Sequence, residues 1–306
     1  MHNFNFLVSI FMITFNHENF IRQALDSILM QKVDFTYEIV VGEDCSTDNT
    51  RKILLEYAQK YPHKFNLLLH EKNVGVFENG KQTLAACKGK YIAMCEGDDY
   101  WTDPYKLQKQ VDFLEANLEY VVTFHNAVII DEKGTVVSKS KLSNQQKRSY
   151  SADELVSEGR LLSLTMCFRN IIKFPPEEMT RVLNGDRFLM VLLGLHGKAK
   201  YMGEQIEPAV YRQHPKGIWS GLQEQEQLFQ NLNSMIHIYT YLTRIGKKDL
   251  AVSFLAKQVA PRIKDMYPPP PPGRRSNYKL NRTNIKRLVQ YIKKKAIKSL
   301  SCLKYK

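Results

Sequence analysis

Over its first 117 residues the chain alternates short apolar runs with segments of helical period, joined by only a few residues. That alternation restricts the fold more than any other property of the sequence. Phe6–Phe15 is a near-continuous apolar run, the pattern of a strand buried on both faces. Phe20, Ile21, Ala24, Leu25 and Ile28 then repeat at helical spacing across Asn19–Met30. Tyr37–Val41 predicts a second strand, and Asp48–Tyr61 a helix behind the capping candidates Ser46, Thr47 and Asp48. Phe65–His70, Phe77–Cys87 and Lys90–Cys95 read as strand, helix and strand. Tyr105–Asn117 follows as a helix opened by Thr102-Asp103-Pro104. Such an order predicts an α/β protein, a mainly parallel sheet flanked by helices.

The second half is less regular. Tyr120–Ile130 reads as one strand ending in the Asp131–Gly134 turn, and the polar Ser138–Tyr150 stretch as a mobile surface loop. The spacing predicts a short helix over Ala152–Glu158, a strand over Leu161–Phe168 and a helix over Glu177–Leu195. Two more helices are expected at Leu222–Tyr241 and Lys248–Met266. Five prolines, Pro268–Pro272, then form a stiff extended spacer.

The formal net charge of +13 is confined to one region. Residues 268–306 hold twelve Lys or Arg and no acidic residue, which leaves the preceding 267 residues at +1. A body so nearly neutral lacks the positive field that phosphate backbones require, so nucleic acid is not an expected partner. The five cysteines form no CxxC pair, which argues against structural zinc and against a disulfide framework. The longest apolar runs fall short of the ~20 residues of a membrane-spanning helix. The N-terminal residues carry no basic segment or small-residue cleavage site, so a cytoplasmic protein is expected. Within the tail, Ile285, Leu288, Val289, Ile292, Ala296, Ile297, Leu300 and Leu303 make one apolar stripe among lysines and arginines. Residues 285–303 thus read as an interfacial helix for an anionic membrane surface, holding the protein peripherally on the inner face of the cell membrane. Docking of the same helix on the body or on a partner protein is the alternative.

In a parallel sheet, ligands sit outside the carboxyl ends of the strands. Three loops meet that condition. After the fourth strand comes Glu96-Gly97-Asp98-Asp99-Tyr100-Trp101, three carboxylates that repel one another unless a cation or donor network offsets them. Oxygen ligands of this kind suit Mg²⁺ or Mn²⁺, with a substrate's phosphates completing the shell; a solvated acidic turn is the simpler reading. After the second strand, Glu43 or Asp44 is placed to accept hydrogen bonds from a base or ribose, while Ser46 and Asp48 read as helix caps. After the first, Phe15 offers a ring on which a flat base could stack, or a core side chain.

Taken together, Val8–Asn16, Tyr37–Asp48, Asn73-Val74-Gly75, Lys88–Tyr91 and Glu96–Trp101 resemble the successive landmarks of the family 2 glycosyltransferases. These are enzymes of the Rossmann-like GT-A fold that use nucleotide-diphosphate sugars. The resemblance covers roughly residues 6–115 and extends faintly to about residue 245. It implies that Phe15 packs on the base and that Asp44 hydrogen-bonds it. Asp98 and Asp99 fall on the acidic motif that serves the ribose and the diphosphate-bound metal. Glu96 stands where many members have Asp, Ile13 where proline or a polar residue is usual, and Cys45 where glycine is common. The Asn184–Phe188 segment resembles the position of a catalytic base, which would be Asp186. The segment Tyr211–Ser220 is similar to a late loop that folds over the donor, with His214 a candidate metal or diphosphate ligand and Arg212 or Lys216 offsetting phosphate charge.

The resemblance therefore implies a GT-A domain over residues 1–220, its donor half at about 1–132 and its acceptor half at about 133–220. A helical extension at 221–267 and the tail at 268–306 would follow. The expected activity is inverting, metal-dependent transfer from a nucleotide-diphosphate sugar, a UDP-sugar first, to a glycan or lipid-linked acceptor in cell-surface polysaccharide synthesis. Two alternatives are a sugar-nucleotide nucleotidyltransferase and a non-catalytic nucleotide-sugar-binding protein on the same fold. The first would need a glycine-rich phosphate loop after the first strand, where this chain has Thr14-Phe15-Asn16-His17-Glu18.

Overall fold

Strand β1 (Val8–Thr14) organises the architecture, because it has a parallel neighbour on each side. Val8, Ile10 and Met12 face one side of the sheet and Ser9, Phe11 and Ile13 the other, the alternation that a pleated strand imposes. A computed structural model describes residues 6–172, 175–215 and 217–259. In it β1 pairs in parallel with β2 (Tyr37–Glu43), and β2 with β3 (Phe65–Leu69). On its other edge β1 pairs with β4 (Tyr91–Met94). Helices α1 (Ile21–Leu29), α2 (Thr50–Lys60), α3 (Val76–Ala86) and α4 (Lys106–Ala116) fill the connections. Ile10, Met12, Ile39, Val41 and Ala93 pack with Leu25, Ile28, Leu54, Leu107 and Val111 of three of those helices in a single core. Burial at roughly 25 cal/mol per Å² of apolar surface makes this the main favourable contribution to the fold.

Chain order runs outward from β1 to β2 and β3, then returns across β1 to β4. The crevice between the carboxyl ends of β1 and β4 is therefore a topological switch point, the place where open α/β sheets bind ligands.

The expected strand over Tyr120–Ile130 is two strands. β5 (Tyr120–Phe124) joins the main sheet and β6 (Ala127–Asp131) starts a second one, with His125 and Asn126 between them. The second sheet adds β7 (Val136–Ser138), antiparallel to β6. Ser138–Tyr150 is tethered rather than loose. The Lys141 N–H donates to the Ala127 carbonyl at 2.7 Å, and Leu142 and Tyr150 are buried. A short helix α5 (Ala152–Ser157) precedes β8 (Cys167–Arg169), which is much shorter than the expected Leu161–Phe168 strand and antiparallel to β4 and β5. The expected helix over Glu177–Leu195 is a 3-10 turn, Glu177–Arg181, followed by α6 (Gly185–Gly194). Like β7, two further strands lie where the sequence predicts none: β9 (Lys198–Tyr201), parallel to β5, and β10 (Ala209–Gln213), parallel to β6. The main sheet thus reads β3-β2-β1-β4-β8-β5-β9 and the small one β10-β6-β7.

The chain divides into two compact units. Among the described residues, one comprises those within 6–155, 159–175 and 192–221, and holds both sheets; the other comprises 156–158, 176–191 and 222–259. In the second, α7 (Glu224–Arg244) and α8 (Lys248–Phe254) pack together, and a π turn, Leu255–Val259, follows. Arg244 makes two hydrogen bonds to Glu178, at 2.7 and 2.9 Å, and the Phe188 and Tyr241 rings meet at 5.4 Å. Among the described residues, no helix is long and apolar enough to cross a membrane. The proline spacer and the expected membrane-binding helix at 285–303 lie outside the described residues, as does Lys216.

Candidate active site

The loops after β1 and β2 hold each other in place. Asn16 donates its N–H to Ser46 Oγ at 2.9 Å and accepts from the Thr47 N–H at 2.8 Å. The next N–H, of His17, donates to Thr50 Oγ1 at 2.8 Å, and that of Glu18 to Asp48 Oδ2 at 3.1 Å. Ser46 therefore ties two loops together, where helix capping was expected of it. Asp48 does both, since its other oxygen accepts the Thr50 N–H at 2.9 Å. Asn16 and Cys45 have φ of 56° and 59°, a left-handed conformation that asparagine tolerates and that explains why glycine suits the position of Cys45.

The loop after β4 is anchored from both ends. The Gly97 N–H donates to the Ile13 carbonyl at 3.2 Å, and Tyr100 bridges to Val210 of β10. Trp101 is fully buried; its indole N–H donates to the Leu164 carbonyl at 2.8 Å, and Lys106 Nζ lies 4.0 Å from its ring centre. β10 runs alongside, and Arg212 on it is buried. Its backbone N–H donates to Asp99 Oδ1 at 2.8 Å, while Nε donates to the Asp98 carbonyl at 3.2 Å. The guanidinium also stacks 4.6 Å from the Phe20 ring and donates to Gln23. Arg212 was expected in a loop, offsetting phosphate charge. It lies on a strand rather than in a loop, and its donors brace the acidic loop.

Bracing brings three side chains together. His214 Nε2 lies 3.0 Å from Asp98 Oδ2, and His17 Nε2 lies 3.8 Å from the same oxygen. One ligating atom from each of His17, Asp98 and His214 falls within 4.8 Å of the other two. Two imidazoles and a carboxylate are a donor set suited to a divalent cation. Of the expected metal ligands, Asp98 and His214 belong to this set. Asp99 does not, because it is directed to the Arg212 backbone, and the sequence reading missed His17. Its signal was positional: it lies two residues beyond Phe15, at the strand end that the sheet-edge rule had already selected.

The electrostatics separate the two adjacent aspartates. Burial pushes the Asp98 carboxyl up, but the His214 hydrogen bond and the His17 and His214 rings outweigh it, so the group lies below its ordinary range. Burial pushes Asp99 well above that range, and the charges of Asp98 and Glu96 add to the effect. Burial also lowers His17, against the pull of Asp98, which favours the neutral imidazole a metal needs.

Phe15 is 40% exposed at the carboxyl end of β1, so its ring is open to a ligand. Asp44 is buried, its two oxygens accepting the Val74 and Gly75 N–H groups at 2.7 and 3.0 Å. Each oxygen keeps a second lone pair. Glu43, expected to contact the donor, is fully buried, with one carboxylate oxygen engaged by the Arg51 guanidinium and the other by the Ser46 N–H. Asp186 lies in the first turn of α6, not mid-helix as expected, with Oδ1 accepting the Arg187 N–H at 2.7 Å. It belongs to the second unit.

A sequence model described as glycosyl transferase family 2 matches residues 9–173, more than half of the chain. An uncharacterized protein of Mycobacterium tuberculosis is 37% identical over 212 residues, 69% of this chain and 60% of the relative. This chain thus spans less than two thirds of that relative's length. The putative glycosyltransferase EpsE of Bacillus subtilis is 33% identical over 127 residues, 42% of this chain and 45% of its own. The putative teichuronic acid biosynthesis glycosyltransferase TuaG of the same species is 32% identical over 114 residues, 37% and 44%. Among solved structures, Staphylococcus aureus TarS residues 1–349 with UDP superimposes with a TM-score of 0.61 at 18% identity, covering 83% of this chain and 72% of that one. The mannosyltransferase PcManGT of Pyrobaculum calidifontis, with GDP-Man and Mn²⁺, gives 0.59 at 16%, covering 82% and 69%. At such identities the likeness is one of fold, which is GT-A.

Proposed function

Because the chain belongs to glycosyl transferase family 2, we propose that it moves a sugar from a nucleoside-diphosphate donor to a hydroxyl of a glycan or lipid-linked acceptor, with inversion at the anomeric carbon. The observation that carries this reading is the meeting of Asp98 and His214 at the β1–β4 switch point, with the exposed Phe15 ring at the same sheet edge. A base stacked on Phe15 and hydrogen-bonded by Asp44 would leave its diphosphate beside Asp98. TarS was solved with UDP and PcManGT with GDP-Man and Mn²⁺, which supports a nucleotide-sugar donor here, UDP-linked first. The name of TuaG supports a place in surface polysaccharide synthesis.

Asp98 and His214 would hold a Mg²⁺ or Mn²⁺ ion, whose chemistry is to neutralise charge on the departing diphosphate. Arg212 keeps the Asp98 backbone in place, and Phe15 and Asp44 orient the donor. On the resemblance of its segment alone, Asp186 accepts the proton of the acceptor hydroxyl as that oxygen bonds to the anomeric carbon. The bond to the diphosphate breaks with its electron pair going to the leaving phosphate. A single displacement inverts the carbon and needs no second carboxylate nucleophile. The basic amphipathic spacing of 285–303 supports peripheral binding to an anionic membrane at the cytoplasmic face. That assignment is tested by vesicle co-sedimentation before and after truncation at Tyr267; undiminished binding by the truncated chain would refute it.

The test of the activity is a panel of UDP- and GDP-sugars with Mn²⁺, read as release of nucleoside diphosphate and transfer to extracted lipid-linked glycans. One donor should be turned over, and Asp98→Asn should abolish turnover. A panel in which no donor is bound or consumed would refute the reading.

A further inference from the structure

Resting on that reading of the site, we propose that His17 is a third protein ligand to the cation, and that the resulting two-histidine, one-carboxylate set selects a first-row transition ion over Mg²⁺. Neighbours on several sides orient the ring. Its Nδ1 shares a hydrogen bond with Thr14 Oγ1 at 3.1 Å, which leaves Nε2 as the nitrogen facing Asp98. A metal-binding histidine characteristically has its other ring nitrogen held in this way. The His17 backbone is tied to Thr50, and its ring meets that of His214 edge-on at 6.0 Å. Gly97 closes the remaining side: a β-carbon there would stand 2.9 Å from His17 Nδ1.

Two histidines about one carboxylate oxygen can also be a simple ion-pair cluster. The spacing also fits ligands that share one ion. Ligands about 2.1 Å from one ion sit roughly 3 to 3.5 Å apart in tetrahedral or octahedral arrangements. The separations of 3.0 and 3.8 Å from Asp98 Oδ2 bracket that range, and 3.8 Å is too long for a hydrogen bond. His17 Nε2 therefore faces the oxygen without bonding to it, as a ligand would that shares an ion with it. Mg²⁺ takes oxygen ligands and keeps its waters, whereas imidazole suits first-row transition ions. The alternative of Asp98 and Asp99 as a pair of oxygen ligands would suit Mg²⁺ equally, but Asp99 is bonded to the Arg212 N–H.

The experiment uses the full chain without donor. Co²⁺ is titrated by its visible absorption and Mn²⁺ by electron paramagnetic resonance, each against excess Mg²⁺. Co²⁺ should give a spectrum with imidazole ligation that a hundredfold excess of Mg²⁺ leaves in place. His17→Gln should weaken Co²⁺ binding by at least the 10- to 100-fold that loss of an outer-shell partner costs. His17→Glu, which substitutes an oxygen ligand, should recover binding while narrowing the preference over Mg²⁺. Thermal unfolding of each variant identifies any that fails to fold. Wild-type Co²⁺ affinity and spectrum in a folded His17→Gln, or displacement by equimolar Mg²⁺, would overturn the proposal. Turnover of a sugar nucleotide by the wild-type chain is read separately. Turnover with a His17-independent metal site would sink this inference and spare the proposed function; His17-dependent binding with no donor consumed would do the reverse.

Discussion

Gly97 presses against Thr14 and His17: a β-carbon at that position would stand 2.6 Å from Thr14 Oγ1 and 2.9 Å from His17 Nδ1. The glycine is thus required by the loop after β1 rather than by its own turn. Gly97→Ala must displace either the strand end or the histidine, and overpacking of this kind costs about 1–3 kcal/mol. Thermal unfolding should report that loss, and metal titration a weakened site. An alanine variant with wild-type stability and metal affinity would show that the contact yields freely.

Arg212 provides a second test, because two roles predict opposite results. As a brace, it needs its planar fork to reach the Asp98 carbonyl and Gln23 while stacking on Phe20. Arg212→Lys should then lower stability by about 1–2 kcal/mol and weaken nucleoside-diphosphate binding, although the charge is kept. A phosphate contact would instead tolerate lysine as a point charge. Isothermal titration with the diphosphate, beside thermal unfolding, separates the two.

Lys106 gives a pH dependence. It is fully buried, donates to Gln110 Oε1 at 2.6 Å, and burial brings its ammonium down to about 8. Between pH 8 and its ordinary value of 10.5, the unfolded chain holds a proton that the folded chain has released. Stability from this group therefore rises with pH across that window, by on the order of 3 kcal/mol at about 1.4 kcal/mol per pH unit. Lys106→Met should compare best with wild type at pH 7 and lose that advantage towards pH 10.5. Urea unfolding of both chains at each pH measures the difference; a pH-independent difference would mean that the lysine titrates as if exposed.

Asp186→Asn should leave donor binding intact and reduce transfer by 10²-fold or more, the usual contribution of a positioned base. Single-turnover transfer, measured beside donor affinity, checks this. An asparagine variant that transfers at the wild-type rate would remove Asp186 from the chemistry.

The first four strands and helices are legible because most of them line one buried core, and burial writes its period into the sequence. Even their ends fall within two residues of the expected bounds. What failed was anything decided at long range. Nothing in the apolar run Tyr120–Ile130 says that the chain changes sheets at His125 and Asn126, since both halves are strand. β10 looked like loop because its alternation is short and its partner β6 lies some 80 residues earlier. The site divides in the same way. Residue type and order point to Asp98 and His214, which the fold brings together, but not to the pairing of Glu43 with Arg51, which comes from the next helix. His17 was passed over because a single histidine after a strand carries no spacing signal; only the Asp98 loop, brought alongside through the β1–β4 pairing, gives it a role.

A divalent ion joining Asp98 to a nucleoside diphosphate is the centre of the proposed activity. Isothermal titration of UDP and GDP into the full chain, with Mn²⁺ and then with a chelator, measures that directly. We predict binding of one of them that weakens at least tenfold in chelator and equally in Asp98→Asn with Mn²⁺ present. Binding of the same strength under all three conditions, or of neither nucleotide under any, would contradict it.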